Sequence, residues 1–246
     1  MGIKQFIKNG YLHIGNFLYE NRSSKVIYYH DLHDKDSFTP MSTPVDLFKK
    51  HLDIIAMNDY DIVKSIDKND LQLEITFDDG FRGLYENFSI FIDRNIPVKL
   101  FTVTSFIGKN GYLTDYELKN MYDTGLLSIG SHTHTHSDLE ILTKDQIYDE
   151  LKRSKEILGD MLNCEVDTLC YPRGRFNDTA VECAKDLGYS KQYTCLPGNY
   201  FEHFREGLIN RSLVQAASDK EFQKILNGAD KVFYKRYLKQ HYHPES

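Results

Sequence analysis

Short apolar runs recur along the chain, and between them lie longer segments whose apolar residues repeat every three or four positions. The strand-like runs fall near Lys25–Tyr29, Leu71–Phe77, Val98–Thr104, Leu126–Gly130, Thr168–Tyr171, Tyr189–Cys195 and Leu208–Leu213. Their regular alternation with helical segments predicts an α/β protein in which helices cover a parallel sheet, rather than a sandwich. About seven strands is close to the complement of a barrel. Helix starts are marked by Thr43 followed by Pro44, by Thr114 with Glu117 three residues on, and by Thr143 with Gln146 three residues on. In the first of these helices Leu47, Phe48, His51, Leu52 and Ile55 make one apolar face that packing alone explains.

At 246 residues and 41% hydrophobic content, the chain can bury a full core and remain a single domain. The pattern divides it into an N-terminal extension over 1–24, a barrel over 25–228, and a C-terminal helix with a loose end over 229–246, to which no chemistry is assigned. A net charge of -6, with both signs mixed along the chain, supplies no basic stripe for phosphates and argues against a nucleic-acid partner. Cys164, Cys170, Cys183 and Cys195 form no Cys-x-x-Cys pair and read as reduced thiols. The N-terminus lacks the apolar stretch of a secretory signal, and no run reaches transmembrane length. The expectation is a cytoplasmic protein, free or peripheral to a membrane. Met1-Gly2 is not a myristoylation start, because Phe6 stands where that motif has Ser or Thr. Nothing in the sequence sets the oligomeric state.

Chemistry gathers at two segments. In Thr76-Phe77-Asp78-Asp79-Gly80 an apolar strand runs into two carboxylates and a glycine. Adjacent acids repel unless a cation or a shared proton relieves them, and the glycine allows a sharp turn that brings both into one site. Ser131-His132-Thr133-His134-Thr135-His136 also follows a strand. If this segment turns helical, His132 and His136 share a face and can hold one cation. One carboxylate and two imidazoles leave positions open for water and substrate, as catalytic centres do, and the donors suit zinc, cobalt, nickel or iron. The remaining acid can take a proton from water that the cation acidifies, which is the chemistry of a hydrolase.

These two segments resemble the first two signature motifs of the polysaccharide deacetylase family (NodB homology, carbohydrate esterase family 4). The resemblance implies a distorted (β/α)7 barrel and hydrolysis of N- or O-acetyl groups on sugars. It also implies Asp78 as base, with Asp79, His132 and His136 as ligands of one divalent metal, zinc before the others. The family's third motif, Arg-x-Pro-x-Gly, is altered: Cys170-Tyr171-Pro172-Arg173-Gly174 has Cys170 in the arginine's place. It is similar to the Tyr-Pro-Tyr-Gly variant of one subgroup, which places Tyr171, Pro172, Arg173 and Gly174 against the substrate. Arg211 is the candidate to pair with Asp78, with Arg173 second. No segment after Arg211 is found to match the family's C-terminal Leu-x-x-His motif. Instead Tyr28-Tyr29-His30-Asp31 resembles a segment of the circularly permuted exopolysaccharide deacetylases, which makes His30 the general acid.

The partner so implied is an acetylated sugar or glycan, or a glycan precursor. Two other readings stay open: a carbohydrate-binding relative that has lost turnover, and a metallohydrolase of a non-sugar amide.

Overall fold

A computed structural model describes residues 3–244; the Met1-Gly2 start, with its superficial likeness to a lipidation site, and the last two residues lie outside them. Helix α1 spans Ile3–Tyr19, and strand β1 (Lys25–Tyr29) leads through two short paired strands to α2 (Val45–Met57). Then come β2 (Gln72–Asp79), β3 (Val98–Thr102), α3 (Asp115–Asp123), β4 (Leu127–Ser131), α4 (Lys144–Leu162), β5 (Thr168–Cys170), α5 (Asp178–Asp186) and β6 (Lys191–Tyr193). The chain ends with β7 (Leu208–Ile209), β8 (Ser212–Leu213), α6 (Asp219–Leu226) and α7 (Tyr234–His241).

The expected last strand is broken in two. The sheet runs β7-β6-β5-β4-β3-β2-β1-β8, all pairs parallel. Since β7 and β8 are separated only by Asn210 and Arg211, one chain segment pairs with β6 at one edge and β1 at the other. The sheet therefore curls into the distorted single-domain barrel, and the distortion sits at the break. All of β2 is buried, but its faces differ in character. Leu73, Ile75 and Phe77 join the large core beneath the helices, whereas Glu74, Thr76 and Asp78 alternate with them toward the interior. Val26, Phe101, Cys170, Tyr193 and Ile209 form a small inner cluster. Below it, Lys99 pairs with Glu74 (Nζ to Oε2, 3.1 Å) and donates to the Tyr193 hydroxyl (2.6 Å), so the buried charge is partnered. Interior space is tight enough that a Cβ on Gly130 would stand 2.5 Å from the Phe101 ring.

The capping boxes at Thr114/Glu117 and Thr143/Gln146 both form. At the start of α2, in contrast, Pro44 occupies the cap position and Thr43 donates to the Gln215 carbonyl. The C-terminal end is not loose. Phe176 N donates to the His241 carbonyl and His243 N to the Phe176 carbonyl, which ties the tail to the loop after β5. The N-terminal extension is anchored as well: α1 packs on the 229–233 turn and on α6.

Candidate functional site

The site stands at the C-terminal ends of the strands, where barrel proteins place their chemistry. Along β2 the alternation points Asp78 inward, and Asp79 would ordinarily point away. Asp79 instead takes φ 71°, in the left-handed region, followed by Gly80 at φ 88°. The turn therefore begins one residue before the glycine that the sequence offered for it, and it brings the second carboxylate round to the first. Asp is among the residues that tolerate this region, at a strain cost of about 1–3 kcal/mol that the surrounding fold must supply.

The histidine segment is not helical. Thr133 (φ 66°) and His136 (φ 65°) are left-handed, and the loop they make brings the His132 and His136 rings to 4.9 Å between centroids. Glu150, projecting from α4, holds this loop by accepting from His134 N (3.0 Å), Thr135 N (2.8 Å) and Thr135 Oγ1 (2.7 Å). Ser131 Oγ and Thr133 Oγ1 accept from the Thr133 and His136 amides.

These turns place Asp79 Oδ1 at 3.4 Å from both His132 Nε2 and His136 Nε2. That separation is long for hydrogen bonds, and Asp79 Oδ1 is buried with no hydrogen-bond partner among the described residues. Donors about 2.0–2.1 Å from a tetrahedral ion stand about 3.4 Å apart, so the donor atoms suit a divalent cation by chemistry and by spacing. His132 Nδ1 donates to the Cys170 carbonyl (2.8 Å), which fixes the tautomer and leaves Nε2 as the lone-pair nitrogen. Burial pushes His136 down to about 4, so its imidazole is neutral at physiological pH.

Asp78 is clamped by Arg211 through two parallel contacts, Nη1 to Oδ1 at 2.7 Å and Nη2 to Oδ2 at 2.8 Å. Burial pushes this carboxyl up, but the charge and hydrogen bonds of Arg211 outweigh it and hold it at about 2. Arg211 lies at the break between β7 and β8, is fully buried, and is itself fixed by the Thr194 carbonyl and by Thr76 Oγ1. Cys170, in the place of the motif arginine, sets its Sγ 2.9 Å from Arg211 Nη2. Arg173 reaches Asp138 instead of Asp78.

A cavity of about 610 Å³ opens above these groups. Its walls include Asp78, Asp79, His132 and His136, with Tyr28, His30, Arg173, Tyr237, Gln240 and His241 around them. The His30 ring is held through Nδ1 against Gln215 Oε1 (2.6 Å), leaving Nε2 as the other nitrogen. The segment Tyr171–Gly174, expected to contact substrate as a unit, divides. Arg173 lines the cavity, whereas Tyr171 is fully buried, stacked on Phe176 and bonded to Gln192, so it is a packing residue. Pro172 is buried too, and Gly174 (φ 68°) packs on Cys195.

Sequence reasoning missed Glu150, Gln215 and the whole C-terminal wall. One signal was present: Leu238-Lys239-Gln240-His241 has the Leu-x-x-His spacing that was not found after Arg211, and its histidine lines the cavity. The tail given no chemistry thus contributes to the site.

At the C-terminal end of a parallel barrel, Asp79, His132 and His136 thus form a candidate site for one cation beside the buried Asp78. The family model for polysaccharide deacetylase matches residues 66–191, half of the chain, and the chain belongs to that family. YxkH of Bacillus subtilis is 32% identical over 125 residues, 50% of this chain and 44% of its own. The poly-beta-1,6-N-acetyl-D-glucosamine N-deacetylase of Staphylococcus aureus (strain N315) is 27% identical over 173 residues, 63% of this chain and 58% of its own. The chain thus spans about half the length of the curated relatives it matches. Among solved structures, the Streptococcus pyogenes deacetylase PplD in complex with acetate superposes with a TM-score of 0.74 at 23% identity, covering 83% of this chain and 98% of that one. IcaB from Ammonifex degensii gives 0.74 at 19% identity, covering 85% and 98%. Both share the fold.

Proposed function

We propose that the protein is a metal-dependent hydrolase that removes N-acetyl groups from an amino-sugar glycan or its precursor. The observation that carries this reading is the orphaned, buried Oδ1 of Asp79, equidistant from two imidazole nitrogens and adjacent to the clamped Asp78 carboxylate. Asp79, His132 and His136 would hold the cation, zinc in our reading, with cobalt, nickel or iron as substitutes that the same donors accept. When bound, such a cation polarises an acetamide carbonyl and acidifies water.

The chain's own groups do the rest. Asp78, kept ionised and aimed by Arg211, accepts a proton from the water that attacks the carbonyl carbon. Arg211, whose Nη2 lies 2.9 Å from the Sγ of Cys170, takes the pairing role expected of the arginine that the third motif lacks. His30, oriented by Gln215, gives a proton to the departing sugar nitrogen as the C–N bond breaks, so that acetate and a free amine leave. His241 is a second proton donor to test, because it lines the same cavity. Polymers of β-1,6-linked N-acetylglucosamine, named for two of the staphylococcal relatives, are the first substrates to try.

The test is acetate release by metal-reconstituted protein across N-acetylated, O-acetylated and non-sugar amide substrates, with Asp78→Asn alongside. Release from an N-acetylated sugar that requires Asp78 supports the proposal. Release only from O-acetyl or non-sugar substrates, or tight glycan binding without turnover, sinks it.

A further inference from the structure

Helix α1 carries two apolar stripes. One, through Leu12 and Gly15, is buried so closely that a Cβ on Gly15 would meet the Ala229 carbonyl oxygen at 2.0 Å. The other, Tyr11, Ile14 and Leu18, repeats at three- and four-residue spacing and faces outward, with Phe17 beside it 88% exposed. A surface helix ordinarily turns charged and polar residues outward, and an outward apolar stripe needs a partner.

The charge beside this stripe indicates which partner. Tyr11 packs edge-on against Phe233 just before α7, and Tyr11 and Arg236 line one groove of about 510 Å³. Residues 231–244 contain Lys231, Lys235, Arg236 and Lys239 and no acid, in a chain of net charge -6. Lys8 and Lys231 are paired with Glu221 and Glu202, whereas Lys235, Arg236 and Lys239 are exposed and in no ion pair among the described residues. Aromatic and aliphatic side chains flanked by basic ones are the composition that binds at a lipid headgroup boundary.

We propose that α1 and α7 together form a face that lies on an anionic lipid bilayer. Ile14, Phe17 and Leu18 enter the boundary between headgroups and acyl chains, and Lys235, Arg236 and Lys239 meet the headgroup charge. No described helix is long and apolar enough to cross a membrane, so the contact is one of surface. The groove shares Cys195, Leu213, Tyr237 and Gln240 with the cavity above the Asp/His cluster. If the deacetylase reading holds, the proposed face lies beside the cavity that takes the saccharide.

The test is co-sedimentation of the full chain with phosphatidylcholine vesicles, with and without phosphatidylglycerol, at low and high salt. The expected result is partition onto the anionic vesicles that weakens as salt is raised. The triple variant Ile14→Ser, Phe17→Ser, Leu18→Ser and the double variant Lys235→Glu, Lys239→Glu should each lower it about tenfold or more. Metal content and circular dichroism should match the parent, and the lysine variant, altered only at the surface, keeps the test decisive if the helix variant misfolds. Parent binding that neither variant reduces would overturn the proposal. So would absence of vesicle binding with a dimer that the triple variant dissociates, which would assign the face to a second copy. The readout uses no sugar substrate, so failure of the deacetylase reading leaves the result interpretable.

Discussion

Replacing Arg211 by methionine should cost the fold about 3–5 kcal/mol at neutral pH, because the Asp78 charge would remain buried without its partner. Arg211 is 0% exposed and Asp78 3%, so water cannot stand in for the guanidinium without reorganising the barrel mouth. The pH dependence checks the same interaction from another side. Asp78 lies at about 2 against an ordinary 3.8, a depressed carboxyl. Its stabilising contribution, about 2 kcal/mol, is present above pH 4 and is lost as pH falls toward 2. In the methionine variant the raising effect of burial is no longer opposed by Arg211, so the sign reverses and the variant should lose stability as pH rises through neutrality. Urea denaturation of chelator-treated protein at pH 5 and pH 8 measures both effects. Adding Asp78→Asn to the methionine variant should recover most of the loss at pH 8. A methionine variant within 1 kcal/mol of the parent at both pH values, or a double variant no more stable than the single, would refute the account of this pair.

Asp78→Asn should retain one metal per chain and lose turnover, whereas His132→Ala should lose both; metal analysis beside acetate release separates them. Glu150→Ala, which frees the loop carrying both histidines, should weaken metal affinity about 10–100-fold, with activity restored by excess metal. If affinity stays at the parental level, the loop does not depend on Glu150. His30→Gln should lower kcat about 100-fold or more while His241→Gln leaves it; the opposite pattern would transfer the role to His241. Gly174→Ala, at φ 68° with the Cys195 Sγ 2.7 Å from the added carbon, should lower the melting temperature by several degrees.

Much of the barrel was legible because its information is local. Each strand in the ring coincides with an apolar run, and the capping boxes at Thr114 and Thr143 are four-residue signals. Asp78, Asp79, His132 and His136 stand out the same way, as chemistry crowded directly after strands, and the fold brings them together. The turn that joins the two acids was assigned to Gly80, yet Asp79 makes it, because tertiary packing holds a non-glycine residue where intrinsic preference would not. The four-residue spacing of His132 and His136 brings them together on a helix only if the segment is helical; the loop that does so instead depends on Glu150, a residue sixteen positions away from His134. Arg211 and Asp78 lie 133 residues apart and meet only because one broken strand closes the ring. Tyr171 was misread because a motif names positions without saying which way a side chain points. The C-terminal wall was missed for a different reason: a polar, lysine-rich tail looks loose until its backbone bonds to Phe176 are known.

The central claim, that Asp79, His132 and His136 hold one catalytic cation beside the Asp78 base, is tested most directly by a metal titration of chelator-stripped protein. Acetate release from an N-acetylglucosamine oligomer is followed at each increment of zinc. The account predicts activity that rises linearly and stops at one equivalent per chain, with Asp78→Asn taking up the same equivalent and releasing no acetate. Full activity in the stripped protein, or zinc uptake undiminished in His132→Ala, would contradict it.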